Sequence, residues 1–244
     1  MNIALIGYGK MGKEVEGVAK ERGIKVLKVF NAANNPGSMG LTGEALKGVD
    51  VCIDFSSPGV VVGNILALVS CGKNIVVGTT GWYDRLDEMK KVAKEKKVGL
   101  LYAPNLSLGV NIFAQVVMDA ARLMERYADY DVSISEVHGR AKADCPSGLA
   151  LSLGSSILQT VKRKTELATG ALHGALKPHQ LHVSAMRVGV GTGRHTVTFD
   201  SECDTIEVVH TARSKRASAV GAIVAAEWLK GKKGVYTMRD VIIQ

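Results

Sequence analysis

The sequence predicts an α/β protein: a doubly wound parallel sheet, followed by an α+β region with a mixed sheet. Three observations carry this. Short apolar runs alternate with helix-periodic stretches up to residue 105, the pattern of parallel strands joined by crossover helices. From residue 107 the pattern changes to one long helix and a cluster of strand-like runs. The tail from residue 215 returns to a helix.

Each element has a local cause. "NIALIG" is a short apolar run ending in glycine, a buried strand. "KMGKEVEGVAKERG" has helical periodicity and a glycine stop at Gly23. "IKVLKVFN" and "VDVCIDFS" are the next strands, and Pro58 opens the helix "PGVVVGNILALVSCG" at a first-turn position. "NIVVGTTG" is a fourth strand, "YDRLDEMKKVAKEKK" an amphipathic helix and "VGLLYAPN" a fifth strand. "LGVNIFAQVVMDAARLME" is the long helix, "YDVSISEVH" a strand, and a helix follows Pro146-Ser147-Gly148. "LHVSAMRV", "RHTVTFD" and "TIEVVHTA" are strands, with Thr196 and Thr198 alternating with Val197 and Phe199 as in a two-faced sheet. The expected boundaries are 1–106 with 215–244 for a dinucleotide-binding domain, and 107–214 for a substrate and oligomerisation domain.

Composition narrows the function. The chain has 244 residues, 46% of them hydrophobic and only 5% aromatic, so aliphatic side chains must fill its core. A net charge of +8 favours anionic partners. The basic run Lys90–Lys97 has no interleaved aromatics and reads as a solvated helix face, so no nucleic-acid partner is expected. Four cysteines without a Cys-x-x-Cys pair argue against a zinc site or a disulfide framework, and no metal is expected. The N-terminus lacks the features of a signal peptide and no apolar run approaches the roughly 18 residues of a membrane span, so a cytoplasmic protein is expected.

The first turn, Gly7-Tyr8-Gly9-Lys10-Met11-Gly12, is G-x-G-x-x-G between a strand and a helix. Its first glycine permits the turn, its second lets the backbone approach a pyrophosphate, and its third lets helix and strand pack closely. The helix start then offers free N–H groups to phosphate. The second strand ends at Asn31 rather than at the usual ribose-binding acid, which admits NADPH as well as NADH. Gly78, Thr79 and Thr80 end the fourth strand, and Ala103, Pro104 and Asn105 the fifth, where such sheets bind ligands; Thr79, Thr80 and Asn105 are candidates for nicotinamide contacts.

The segment "EVHGRAKADCPSGLA" places His138, Arg140 and Lys142 ahead of a helix start, where cations and amide N–H groups suit an acidic substrate. Lys142 is the candidate proton donor and His138 its partner. His195 and His210 lie in strand-like runs and read as structural.

The motifs "GYGKMG", "DFSSP", "GTTGW", "APNLSLGVNIF", "EVHGRAKADCPSG", "RVGVGTGRHTVTF" and "GVYTMRDV" follow one another in the order of a known family. In them the chain resembles 4-hydroxy-tetrahydrodipicolinate (dihydrodipicolinate) reductases over nearly its whole length. The resemblance implies a Rossmann-type domain completed by the tail, a homotetramer, and hydride transfer from NADH or NADPH to a cyclic imine dicarboxylate in lysine and diaminopimelate synthesis. It implies His138 and Lys142 as the catalytic pair, Gly139, Ser147, Gly148 and Leu149 around the substrate, and Leu106 beside Asn105 at the cofactor. The chain departs from the family pattern at Gly139 and Ala141 (both His there), Leu149 (Thr), Leu106 (Phe) and Lys215 (Arg). In this reading the double change Gly139→His with Leu149→Thr is expected to tighten dicarboxylate binding. A reductase of a related imine acid, and a nucleotide-binding paralogue without turnover, are the alternatives.

Overall fold

The computed structural model describes residues 1–243. It divides into two compact units, Met1–Asn111 with Lys215–Gln244, and Ile112–Ser214.

The first unit is built on β1 (Asn2–Ile6), α1 (Lys10–Glu21), β2 (Lys25–Phe30), β3 (Val51–Asp54), α2 (Pro58–Ser70), β4 (Asn74–Val77), α3 (Leu86–Glu95) and β5 (Gly99–Tyr102). The helix α4 (Leu108–Met124) follows. The second unit contains β6 (Asp131–His138), α5 (Gly148–Thr160), β7 (Glu166–Thr169), β8 (Gln180–Arg187), β9 (Arg194–Asp200) and β10 (Thr205–Thr211). The tail adds α6 (Arg216–Leu229), β11 (Gly234–Tyr236) and α7 (Met238–Ile242) to the first unit.

The sheet of the first unit runs β11-β5-β4-β3-β1-β2, and every pairing in it is parallel. A parallel sheet covered on both faces needs apolar side chains on both. Ile3, Leu5, Val51, Ile53 and Val76 accordingly face one core with α1 and α6, while Ala4, Ile6, Cys52, Ile75 and Val77 face the other with α2 and α3. The chain order reverses between β1 and β3, which is where such sheets open a crevice at their strand ends.

The sheet of the second unit is mixed, in the order β10-β9-β6-β8-β7. The strand β6 lies at its centre, antiparallel to β9 and parallel to β8. Glu136 stands opposite His195, and His138 opposite Arg187. That register collects four polar side chains at one end of the sheet's otherwise apolar face. Val132, Ile134, Leu181, Val183, Val197 and Phe199 form the core beneath them, with residues of α4 and α5.

The alternation expected of the first hundred residues and the clustered strands after them are the architecture found. The short strands β7 and β11 were not expected. Each is three or four residues long, too short to show a period, and each is an edge strand paired with one neighbour.

The tail is seated closely. A Cβ at Gly221 of α6 would lie 1.7 Å from the backbone oxygen of Leu106, so helix and chain meet without a side chain between them. Gly221→Ala should destabilise the protein by about 1–3 kcal/mol, the scale of overpacking in a filled core. Urea titration measures this, and an unchanged midpoint would contradict the packing described.

Candidate functional site

In the first unit the glycine turn is built as its spacing requires. Gly7 has φ of 86°, and a Cβ there would stand 2.2 Å from the Phe55 carbonyl oxygen. A Cβ at Gly12 would stand 2.3 Å from the Gly7 oxygen, which brings α1 down onto the turn. A Cβ at Gly9 would meet nothing within 4 Å. The Gly9 backbone therefore borders open space, the cradle a pyrophosphate needs. The helix α1 also has no side-chain cap and no acid in its first turn, so its N–H groups remain available to an anion.

A cavity of about 390 Å³ adjoins this turn, lined by Gly7, Tyr8, Gly9, Phe30, Asn31, Phe55 and Ser56 among others. A second of about 350 Å³ is lined by Gly9, Lys10, Met11, Gly78, Thr79 and Thr80 with Ser56 and Pro58. The two share Gly9, Phe55 and Ser56. Together they bring most of the expected cofactor residues to one groove.

Several of these side chains are already engaged. Asp54, at the end of β3, is wholly buried and accepts hydrogen bonds from the Ser56 backbone and hydroxyl, Asn64 Nδ2 and Thr79 Oγ1, the last at 2.6 Å. Burial pushes its carboxyl above the usual range against the pull of those bonds. Thr79 therefore faces Asp54, and Thr80 is the exposed hydroxyl. Asn31 Oδ1 accepts from Ala33 N at 2.9 Å and Asn34 N at 3.2 Å, closing a turn after β2. After β5, Ala103 is buried, Pro104 is exposed, and Asn105 Oδ1 accepts from Ser107 N at 2.9 Å. Leu106 is 1% exposed and packs over Gly78, so its side chain belongs to the core.

In the second unit the polar end of the sheet centres on Glu136, which is 2% exposed. Its Oε1 accepts from Ser147 N and from the Arg187 guanidinium, each at 2.9 Å. Its Oε2 accepts from the Ser147 hydroxyl and lies 3.3 Å from His195 Nε2 and 3.6 Å from His138 Nδ1. The two imidazoles stack edge to face at 5.0 Å. Ser147 is also the cap of α5, where its Oγ accepts from Ala150 N. Lys142 Nζ pairs with Asp144 Oδ1 at 2.7 Å, and Asp144 Oδ2 accepts from Gly148 N at 3.3 Å.

The charges follow from these contacts. Burial works to raise the Glu136 carboxyl, but its bonds from Ser147 and Arg187 outweigh this and hold it below the usual range. Burial lowers His138, with Glu136 opposing and Lys142 and Arg187 assisting. Burial lowers His195 to about 4, so it is neutral near pH 7. The Lys142 hydrogen bond holds Asp144 below its usual range.

The structure revises three expectations for this segment. Ser147 gives its hydroxyl and its amide to Glu136, so it shapes the helix start from within. Gly139 gives its amide to Gly191 O at 2.9 Å, and a Cβ there would stand 2.9 Å from that same oxygen. Position 139 thus has no room for a histidine unless the 189–193 loop moves. His195, read from sequence as structural, stands within the cluster. Its only sequence signal was its place on a two-faced strand, which does not reveal the register opposite Glu136. Leu149 is half-buried beside the core of the unit, and Gly148 is exposed.

Glu136, His138 and His195 each offer a ligand atom within 4.8 Å of the others. Both Glu136 oxygens already accept donors, and the Arg187 guanidinium supplies the positive charge beside it. A cation would have to displace those bonds and sit against a guanidinium, so the donor set does not suit a metal.

A parallel sheet with this glycine turn, joined to a mixed-sheet unit that gathers imidazoles and a lysine, defines a pyridine-nucleotide-dependent oxidoreductase. The family model described as dihydrodipicolinate reductase, N-terminus, matches residues 1–106, and that for the C-terminus matches residues 109–242. The chain belongs to the dihydrodipicolinate reductase family. It is 38% identical over 242 residues to the 4-hydroxy-tetrahydrodipicolinate reductase of Christiangramia forsetii, covering 99% of this chain and 98% of the relative. It is 31% identical to that of Methanosarcina mazei, covering 99% of each. Among solved structures, dipicolinate-bound dihydrodipicolinate reductase from Paenisporosarcina sp. TG-14 shares the fold, with a TM-score of 0.79 at 21% identity and 99% coverage of both chains.

The buried imidazoles make stability depend on pH. The unfolded chain binds a proton at His195 near its ordinary value of 6.5, the folded chain only near 4. Between those values the unfolded state holds more protons, so this stabilisation is full above 6.5 and is lost as pH falls towards 4. The contribution is on the order of 3 kcal/mol. The lowered His138 and His210 act with the same sign. Tm should fall from pH 7 to pH 4, and His195→Asn should remove part of that slope. A native Tm independent of pH over this interval would contradict the reading.

Proposed function

We propose that this protein reduces 4-hydroxy-tetrahydrodipicolinate to tetrahydrodipicolinate with NADPH or NADH, a step of lysine and diaminopimelate synthesis. The observation that carries the reading is likeness over the full length: relatives named for this reaction align with 99% of the chain. In this reading the first unit is the dinucleotide-binding domain and the second the substrate and oligomerisation domain.

When bound, the reduced nucleotide supplies a hydride. The Gly9 backbone and the first turn of α1 would hold its pyrophosphate, Asn31 would offer its Nδ2 to the ribose, and Thr80 with the backbone of residues 103–105 would receive the nicotinamide. Loss of the 4-hydroxyl as water gives a conjugated imine; hydride added to that conjugated system leaves negative charge, and a proton must meet it. Lys142 donates that proton, and its ammonium attracts the substrate carboxylates. His138 returns a proton to the lysine. The amide of Gly148 and that of Leu149 receive a carboxylate, in competition with Asp144, which accepts from Gly148 N in the structure. Exposed Ile206 and Val209 on the edge strand β10 supply apolar surface for a homotetramer, and four free thiols suit the cytoplasm.

A coupled assay that generates the substrate in situ and follows NADPH consumption tests the reaction; no consumption would overturn it. Lys142→Ala should lower kcat by about 10²–10⁴-fold with NADPH affinity unchanged, measured by steady-state kinetics and fluorescence titration.

NADPH should bind at least as tightly as NADH, because no acid at the end of β2 repels a 2′-phosphate. Calorimetry giving NADH an advantage above about tenfold, roughly 1.4 kcal/mol, would reverse this.

Leu149→Thr should lower KM for the dicarboxylate, whereas Gly139→His should raise it by forcing the 189–193 loop away. Steady-state KM values for the two single variants separate these effects.

A further inference from the structure

Glu136 makes more polar contacts than the proposed reaction asks of it, since it reaches no open surface and is not itself a proton donor to substrate. We propose that Glu136 is a positioning residue: its carboxylate holds His138 in the tautomer protonated at Nδ1, leaves Nε2 as the proton-accepting atom, and fixes the start of α5 at the same time. The inference rests on His138 serving the reduction as proposed above.

An ionised carboxylate is acceptor-only, so an imidazole nitrogen that faces it is attracted as N–H and repelled as a lone pair. Oε2 faces His138 Nδ1 at 3.6 Å and His195 Nε2 at 3.3 Å. Both facing nitrogens therefore carry the proton. At 3.6 Å the selection at His138 is electrostatic, and it is strong because both groups are buried in a region of low dielectric. His138 Nδ1 has no hydrogen-bond partner among the described residues, so nothing competes with this electrostatic selection. Gly193 leaves the opposite ring nitrogen its room, since a Cβ there would stand 2.5 Å from His138 Nε2. Arg187, bonded to Oε1, balances the charge of Glu136, so the carboxylate stays ionised while both imidazoles are neutral.

The groups that face His138 come from every element packed around it. They are Glu136 on its own strand, Arg187 on β8, His195 on β9, and Lys142 and Asp144 in the turn before α5. Only Glu136 and Asp144 are anions, and Asp144 is exposed and paired with Lys142. Once Lys142 has donated its proton to substrate, it is a neutral amine. His138 takes up one proton from bulk solvent at Nε2, keeps its own at Nδ1, and passes the Nε2 proton to the amine. The transient imidazolium is stabilised by Glu136.

Long-range ¹H–¹⁵N spectra of the full-length ¹⁵N-labelled protein at pH 8 read the tautomer directly, with His138 assigned through His138→Gln. Nδ1–H is expected, and Nε2–H would overturn the proposal. Glu136→Gln keeps the size and reverses the donor pattern. It should lower kcat by about tenfold or more, the scale on which carboxylate partners of functional imidazoles act. It should leave NADPH affinity unchanged, and the limb of the kcat–pH profile that His138→Gln abolishes should move to lower pH. Glu136→Asp should recover part of the rate. If Glu136→Gln lowers Tm but leaves kcat and the profile unchanged, Glu136 is structural only and the proposal fails. If Glu136→Gln does not fold, the tautomer of the native protein decides. Full activity in His138→Gln would instead remove the role proposed for that histidine, leaving the tautomer result standing by itself.

Discussion

The constraint on which the second unit depends is one buried negative charge. Taking the Glu136 carboxylate out of water costs several kcal/mol unless its lone pairs are filled and a countercharge is near. The sheet supplies both. Ser147 gives two donors from the start of α5, and Arg187 gives the charge from β8. Neither is near Glu136 in sequence: Ser147 is 11 residues away and Arg187 is 51. The charge is tolerable only when β6, β8 and α5 are all in register, so it penalises any slip that would separate them. A one-residue slip would turn Glu136 to the other face of the sheet.

The first unit has an analogous buried acid in Asp54. Its carboxyl sits at the end of β3 and is filled by Ser56, Asn64 and Thr79, all of which line the cavities beside the glycine turn. Here no countercharge stands beside the acid among the described residues, and burial raises its carboxyl. The two acids solve the same problem differently. Hydroxyls and an amide satisfy Asp54 and stiffen the groove. A guanidinium satisfies Glu136 and leaves imidazoles beside an anion.

The glycines show a second kind of constraint, one of space. Gly7 and Gly12 allow strand, turn and helix to meet with no side chain between them, and Gly9 borders open space where a phosphate is expected. These roles were legible because they follow one another within six residues of a recognisable turn. Gly139 has the same physical role against Gly191, yet it read as a missing histidine. Its neighbour in space is 52 residues away in sequence and belongs to a loop without periodicity. Separation in sequence likewise hid the engagement of Thr79 with Asp54 and the burial of Leu106 over Gly78.

By itself the sequence determined the alternation of strands and helices, the glycine turn, the mixed-sheet region and the family. Each of these is written in local periodicity or in short runs of residues, and local backbone preference is enough to express it. Only the tertiary structure decided which polar groups satisfy one another. It placed His195 opposite Glu136, turned Ser147 inward, closed the 189–193 loop over Gly139, and set β7 and β11 at the sheet edges. The reason is physical. A buried donor or acceptor must find a partner wherever the register brings one, and register is a property of strands far apart in the chain.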